Sequence, residues 1–332
     1  MLRRSLLRKG VIILIVKELS KSNNVLKMEA LLRRTPNDYF RYEEMKEDLR
    51  KRLAGYNGER AISYYLDYLP DKDYFIFHDM RFPSGNHYFQ IDYLVLSPHL
   101  ALILECKNFY GTLFLEDSFN QLIRTANDKE EGFHNPLAQA RWHQQQLSTF
   151  FSSHGYSQIP IDYLVAFSSP STILKTNSRD PSILKKIVHG YNLLERLTEI
   201  ERVYKNEVMD MKSMRKLSKL LLKSHVPGDQ DILQKYGVAK SEVITGVQCP
   251  NCKALGMIRV RRKWFCEKCE CYDSDAHIDA VKDYFFLLNS TISNKQFREF
   301  THLTSVDMAS KLLMRMNLPS SGANKGRVYH PH

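Results

Sequence analysis

Between Phe89 and Lys107 the chain carries two short runs rich in Ile, Val, Leu and Tyr, Phe89–Leu96 and Leu100–Lys107, with Ser97-Pro98-His99 as a turn between them. Runs of this length and composition are strands, and so short a turn folds them into a hairpin. The second run opens with five apolar residues, Leu100–Leu104, and ends in Glu105-Cys106-Lys107. It is too apolar for a solvated edge, so its charges begin where a buried strand emerges. On a strand, Glu105 and Lys107 face one side while Leu104 and Cys106 face the other. With a turn of two or four residues, Asp92 lies directly opposite Glu105, with Cβ atoms about 5 Å apart. A loop of odd length puts residue 104 or 106 opposite Asp92 instead.

The surrounding elements predict an α/β domain. Glu43–Leu69 reads as a helix, with Ile62, Tyr65, Leu66 and Leu69 at helical spacing and Pro70 as its stop. Tyr74–Arg81 and Gly111–Leu115 read as strands, and Ile161–Phe167 as a buried strand. Asn135–Phe151 reads as a helix entered at Asn135-Pro136. This order describes a mixed sheet flanked by helices. A charged helical segment follows over Leu193–Lys223, broken at 225–228, and a short helical piece near Asp231–Tyr236 leads into a cysteine cluster.

Asp92, Glu105 and Lys107 on one patch make chemical sense together. Two carboxylates that close resist joint ionisation, and a divalent cation removes the conflict. Hard oxygen donors suit Mg²⁺, with Mn²⁺ as the alternative. A lysine beside them can orient a water or stabilise charge on a phosphate. The plainer alternative is a surface hairpin with a Glu–Lys pair.

Five features in order, Gly58-Glu59, Gln90-Ile91-Asp92, Glu105-Cys106-Lys107-Asn108 with Gly111, and Asn135-Pro136 with Gln139, resemble the nuclease-related domain (NERD) family, and through it the PD-(D/E)XK nuclease fold. The resemblance covers about residues 50–170. It implies a metal-dependent nuclease with Glu59 as a helix-borne carboxylate, Asp92 and Glu105 as metal ligands, Lys107 as the catalytic lysine and Gln139 as a polar residue of the later helix. Tyr93 departs from the histidine that the family often has there. Cys106 is expected to point into the core. A domain of this type can also bind without catalysis, so a regulatory nucleic-acid-binding protein on a nuclease scaffold is the alternative.

Five of the six cysteines lie between 249 and 271, which argues against a disulfide scaffold and for a reducing compartment. Cys249-Pro-Asn-Cys252 and Cys266-Glu-Lys-Cys269 are two Cys-x-x-Cys knuckles that predict a structural zinc ribbon, with Met257–Arg262 and Trp264-Phe265 as its hairpin. Cys271 is the alternative to Cys269. Four protein ligands leave no open position, so this zinc would build structure. Arg259, Arg261, Arg262, Lys263 and Trp264 offer cations beside an aromatic ring, a pattern suited to phosphate contact and base stacking.

Asn294–His302 and Val306–Leu318 around a turn read as a helix-turn-helix packed by Phe297, Phe300, Leu303, Val306, Ala309, Leu312, Leu313 and Met316. The segment resembles winged-helix domains. Its recognition helix would present Ser305, Ser310, Lys311 and Arg315, and a wing over Gly322–Tyr329 would carry Lys325 and Arg327. An ordinary helical hairpin is the alternative, and His330 and His332 are expected to be tail residues.

The net charge of +11 is uneven. Residues 1–35 hold nine basic against two acidic side chains, and 249–271 and 295–332 each hold six against two. Such segments fit a polyanionic partner, expected to be DNA. The apolar run Val11–Val16 is too short to span a bilayer. A cytoplasmic protein without a membrane partner is expected, and either Met1 or Met28 could be its start. The expected divisions are a basic extension (1–45), a nuclease-like domain (46–190), a helical linker (191–244), a zinc ribbon (245–275) and a helix-turn-helix-like module (276–332). The expected function is phosphodiester hydrolysis on DNA, recruited by the ribbon and the C-terminal module. A structural adaptor whose ribbon contacts protein is a third reading.

Overall fold

The computed structural model describes residues 13–69 and 74–331. Pro70, Arg3, Arg4, Arg8, Lys9, Val11 and His332 lie outside the described residues, as does the side chain of Lys325. The chain divides into two compact units, one of residues up to Ser22 with Lys51–Gly228, the other of Asn23–Arg50 with Asp229–His332. Strand β1 (Ile13–Lys17) belongs to the first, helix α1 (Asn23–Arg33) to the second, and the division falls within helix α2 (Tyr42–Leu66).

Along the chain the first unit continues with β2 (Tyr74–Ser84), β3 (His87–Leu96), β4 (Ala101–Lys107), β5 (Thr112–Glu116), β6 (Gln121–Ala126), β7 (Lys129–His134) and helix α3 (Pro136–Ser153). It ends with β8 (Ile161–Phe167), β9 (Ile173–Thr176), a short α4 (Pro181–Leu184), β10 (Ile187–His189), α5 (Leu193–Val203) and α6 (Met211–Ser224). A six-stranded mixed sheet runs β1-β2-β3-β4-β8-β10, and β7-β6-β5-β9 form a second, smaller sheet. Strands β4 and β8 pair in parallel at the centre, which is why Ala101–Leu104 and Tyr163–Phe167 read as continuous apolar runs. One face of the sheet packs Phe75, Phe77, Ile103 and Val165 against Leu137, Ala140 and Leu147 of α3 and Met214, Leu217 and Leu221 of α6. The other packs Ile76, Val95, Leu102, Leu104 and Leu164 against Ile62 and Leu66 of α2 and Leu197 and Ile200 of α5. Cys106 joins this second face, as expected.

Strands β2 and β3 kink together. Phe75 and Phe77 share a core with Met80 and Phe82, and Leu94 and Leu96 share it with Phe89 and Ile91, so the alternation slips across Asp79 and across Asp92. Asp79 has the positive φ of 51° that such a slip requires.

The segment expected as a helical linker (191–244) divides instead, with 191–228 in the first unit and 229–244 in the second. Helices α5 and α6 cover opposite faces of the sheet, because the chain between them crosses over. Val208 and Met209 N–H both donate to Pro98 O in the β3–β4 turn (2.8 and 3.0 Å), and Asp210 then caps α6 by accepting from Ser213 N–H.

The second unit adds α7 (Ile232–Tyr236), β11 (Val247–Gln248), β12 (Leu255–Val260), β13 (Lys263–Phe265), β14 (Tyr272–Asp273), α8 (His277–Leu287), β15 (Ile292–Ser293), α9 (Asn294–Thr301), α10 (Val306–Arg315), β16 (Ser320–Ser321) and β17 (Val328–Tyr329). From α8 onward the order is helix, strand, two helices and two strands, with the three strands paired β15-β17-β16. This is winged-helix topology rather than a bare helical hairpin. Val306, expected in its core, is 54% exposed at the start of α10. The ribbon and this module, expected as separate domains, share one core that joins Val247, Met257 and Trp264 to Val281, Phe297, Phe300 and Leu313.

Within the expected basic extension, helix α1 and Arg34 are likewise no appendage. Met28, Ala30 and Leu31 of α1 are buried against Ile232, Leu233 and Tyr236 of α7. Arg34 is fully buried; its Nε donates to Asp283 Oδ2 (2.9 Å), its Nη1 to Ile244 O and Gly246 O, and its guanidinium lies 4.5 Å over the Phe300 ring. Arg33 donates to the other oxygen of Asp283 (2.6 Å). Removing one partner of a buried pair strands the other charge, at a cost of about 3–5 kcal/mol. Asp283→Ala is therefore expected to lower the stability of the second unit by about 3 kcal/mol in urea unfolding. Arg34→Met with Asp283→Leu should recover most of that loss.

Candidate functional site

The hairpin register places the carboxylates. Strand β3 pairs with β4 as Tyr93 with Leu104, Leu94 with Ile103, Val95 with Leu102 and Leu96 with Ala101, leaving a four-residue turn closed by Ser97 N–H donating to Leu100 O. The next facing pair is Asp92 and Glu105. There the ladder stops, and Asp92 Oδ2 accepts from the Cys106 N–H at 2.8 Å.

Glu105 is 2% exposed. Its Oε1 accepts from Lys107 Nζ at 2.8 Å, and the same ammonium donates to Gln139 Oε1 at 3.0 Å. Its Oε2 has no hydrogen-bond partner, although His143 Nδ1 lies 3.4 Å away. Gln139 and His143 come from α3, whose start is fixed by Asn135 Oδ1 accepting from Leu137 N–H, with Pro136 as its first residue. Glu59 stands on α2 with Oε2 within hydrogen-bond distance of His78 Nε2, while Tyr93 donates its hydroxyl to Glu59 O (3.1 Å).

The charges are arranged unequally. Asp92 is half-buried with its carboxyl enclosed, and burial, then the charges of Glu105 and Glu59, hold that carboxyl well above the ordinary range. Burial also pushes Glu105 upward, but His143 and Lys107 outweigh it and leave the group below its ordinary value. The two carboxyls on adjoining strands are thus pushed in opposite directions by their surroundings. Burial, then Asp92 and Glu59, pushes the Cys106 thiol well upward, so it stays neutral.

Glu59, Asp92, Glu105, Lys107 and Gln139 thus gather at one place in the first unit. Two further side chains join them that sequence reasoning missed. His143 follows Gln139 by four residues, a helical spacing that puts both on one face. His78 pairs directly across the sheet from Tyr93. A histidine missing after Asp92 is therefore met by one on the neighbouring strand.

The first unit thus combines a mixed sheet with an Asp on one strand and Glu-x-Lys on the next. Residues 54–168 match the nuclease-related domain family, NERD. A solved structure, protein VC1899 from Vibrio cholerae, aligns at 12% identity with a TM-score of 0.23, covering 50% of this chain and 37% of that one. No curated protein matches the chain.

The second unit holds a separate cluster. The Sγ atoms of Cys249, Cys252, Cys266 and Cys269 all lie within 4.8 Å of one another, and none of these cysteines is in a disulfide. The two knuckles repeat one backbone pattern. Cys249 N–H donates to Ala254 O and Lys253 N–H to Cys249 O; Cys266 N–H donates to Cys271 O and Glu270 N–H to Cys266 O. Lys253 and Glu270 have matching positive φ of 62° and 56°. Cys271 therefore occupies the position of Ala254, closing its knuckle through the backbone, and Cys269 is the fourth thiol. These four can hold zinc tetrahedrally.

Of the basic and aromatic residues singled out nearby, Arg261, Arg262 and Lys263 are exposed at the β12–β13 turn, and Lys311 and Arg315 on α10. Arg259 is half-buried, donating to Ser274 O and Arg262 O. Trp264 is not a stacking surface. It is 1% exposed and donates its indole N–H to His277 Nδ1 (3.1 Å), because its ring fills the core shared with the winged helix. Ser305 is spent as the α10 cap, and Ser310 accepts from Asn294.

Because Cys249 and Cys266 belong to that shared core, zinc and core stand together. Elemental analysis is expected to find about one zinc per chain, and Cys249→Ser with Cys252→Ser to lose it. That loss should unfold the winged helix along with the ribbon. Retained zinc, or a winged helix of unchanged hydrogen-exchange protection, would contradict this.

Proposed function

We propose that the first unit hydrolyses phosphodiester bonds of DNA with a divalent cation, and that the second unit supplies nucleic-acid contacts. The gathering of Glu59, Asp92, Glu105, Lys107 and Gln139 at one place, with Glu105 2% exposed, carries this reading. Glu105 and Asp92, with Glu59 nearby, would supply the oxygen donors a Mg²⁺ or Mn²⁺ ion takes. When bound, such an ion lowers the pKa of a coordinated water and stabilises charge on the phosphate.

The chain's own groups prepare the rest. Glu105 and Gln139 hold Lys107 by two of its three N–H donors, leaving one for a phosphate oxygen or the attacking water. His143 lies against Glu105 from α3 and limits the directions open to that carboxylate. Hydrolysis then adds water across the bond between phosphorus and a deoxyribose oxygen, the proton passing to the leaving oxygen.

Glu105→Gln and Lys107→Ala are each expected to lower metal-dependent cleavage by roughly 10²–10³-fold, by analogy with loss of a single transition-state donor, with the first unit still folded by circular dichroism. Cleavage by these variants at the wild-type rate sinks the assignment, and the non-catalytic binding reading takes its place.

On the proposed reading, the exposed Arg261, Arg262 and Arg315 contact phosphates. Each neutralised contact on duplex DNA adds about −0.9 to the slope of log affinity against log salt. Arg261→Ala with Arg262→Ala and Arg315→Ala should therefore flatten the slope by roughly 2 to 3 without loss of zinc. An unchanged slope would mark these residues as a solvated surface.

A further inference from the structure

We propose that the outer ridge of α2 and its closing turn is a ladder for an unpaired DNA strand, leading it to the carboxylate site. The inference rests on the nuclease reading of that site and names the strand form it takes.

Residues four apart on a helix share a ridge. One such ridge on the first unit reads Arg52, Tyr56, Arg60, Tyr64, and then Tyr68 in the turn after the helix. The inward positions Ile62, Tyr65, Leu66 and Leu69 pack on the sheet, so the core accounts for the opposite face only. Tyr64 is 58% exposed and Tyr68 52%, Arg60 is exposed, and Arg52 and Tyr56 are half-buried. From Tyr56 to Tyr68 the ridge sets the exposed cation of Arg60 among three aromatic rings, the two kinds of group a nucleic-acid strand presents partners for: a phosphate and a base face.

The rings are held in place. Tyr64 and Tyr68 meet edge to face, with centroids 5.1 Å apart at 64°, and Tyr68 donates its hydroxyl to that of Tyr64 (3.2 Å). Tyr64 also meets Tyr65 at 5.5 Å and 78°. A ring already fixed loses little freedom when a base stacks on it. Four helical residues rise about 6 Å, nearly twice the 3.4 Å per nucleotide of one strand in a duplex. Duplex bases are paired and stacked on each other, so they offer no face to such a ridge. An unpaired, extended strand does.

The ladder leads to the site. Glu59 immediately precedes Arg60, and Gly58 packs so closely on the residue after Lys107 that an added Cβ would lie 2.5 Å from Asn108 Cβ. Asn108 Nδ2 also donates to Ala54 O (2.7 Å). The turn of α2 at Ala54 and Gly58, which lies between the ridge residues Arg52 and Arg60, is thereby seated at the end of β4, where the carboxylates emerge.

The test uses the full chain with Asp92→Ala, so that no strand is cut while binding is read. Affinities for a labelled 20-nucleotide oligo-dT and for a duplex of equal length are compared by fluorescence anisotropy. Tyr64→Ala with Tyr68→Ala should weaken oligo-dT binding about tenfold or more and duplex binding less than twofold. Tyr64→Phe with Tyr68→Phe, which keeps the rings, should bind like the parent. Unchanged oligo-dT affinity in the alanine variant, or equal loss on strand and duplex, overturns the proposal. Tyr64→Gln with Tyr68→Gln serves the same comparison if the alanine variant unfolds. Cleavage is measured separately on the chain with Asp92 intact, so absent hydrolysis with ring-dependent strand binding rejects only the nuclease reading.

Discussion

A carboxylate buried at the end of an apolar strand is the most demanding group in the first unit, and much of the packing around it answers that demand. Glu105 sits 2% exposed on β4, with five apolar residues before it and parallel β8 beside it. Water cannot solvate it, so fixed groups must. Lys107 can answer from the same face of the strand because it is two residues on. Everything else has to come from another element. Helix α3 therefore presents Gln139 and His143 on the face that covers the sheet, and its cap at Asn135 fixes where that face begins. The charge asymmetry follows: Glu105 is surrounded by donors, whereas Asp92 is left with one backbone N–H and two like-charged neighbours.

The hairpin and its facing carboxylates were legible because strand periodicity and a short turn are local rules, and the four-residue turn fell within the even-length case. The partners of the carboxylates were less so. His143 had a local signal, its spacing from Gln139, but His78 acquires a role only through pairing with β3, which no window of sequence contains. The kink at Asp79 and Asp92 was hidden for the same reason. Charge counting misread Arg34, which looked like one more cation of a basic extension and is instead among the most deeply buried side chains. An arginine is solvated or buried according to its partner, and Asp283 lies 249 positions away. The joining of Asn23–Arg50 to Asp229–His332 has no local signature either, since the apolar face of α1 is ordinary until α7 covers it.

Trp264 shows how a composition pattern and a packing requirement can produce the same string of residues. A tryptophan among arginines suits a nucleic-acid surface, yet a ribbon of four short strands has little interior of its own. Its largest ring fills that interior, and the winged helix completes the wall. The cations that remain outside, at the β12–β13 turn and on α10, then surround a core they do not enter. Burial, then the charge of Arg315, lowers the guanidinium pKa of Arg259, so the positive groups of the ribbon and of α10 act on one another electrostatically.

The two clusters also differ in the metal each would choose. Four converging thiols are soft donors with no position left over, and neighbouring thiolates cannot all ionise without a cation among them. The carboxylates of the first unit are hard donors, only two or three in number, with a lysine close by. That set is too poor in ligands to compete for zinc against four sulfurs, and suited to an ion that retains waters. On the proposed reading this separation has a mechanistic consequence. Cys249, Cys252, Cys266 and Cys269 would hold zinc where it builds structure, and Glu105 and Asp92 would hold an ion that can take a water and a phosphate oxygen. Lys107 strengthens the distinction, because an ammonium held 2.8 Å from Glu105 disfavours a second or more tightly bound cation while leaving an N–H for an anionic substrate.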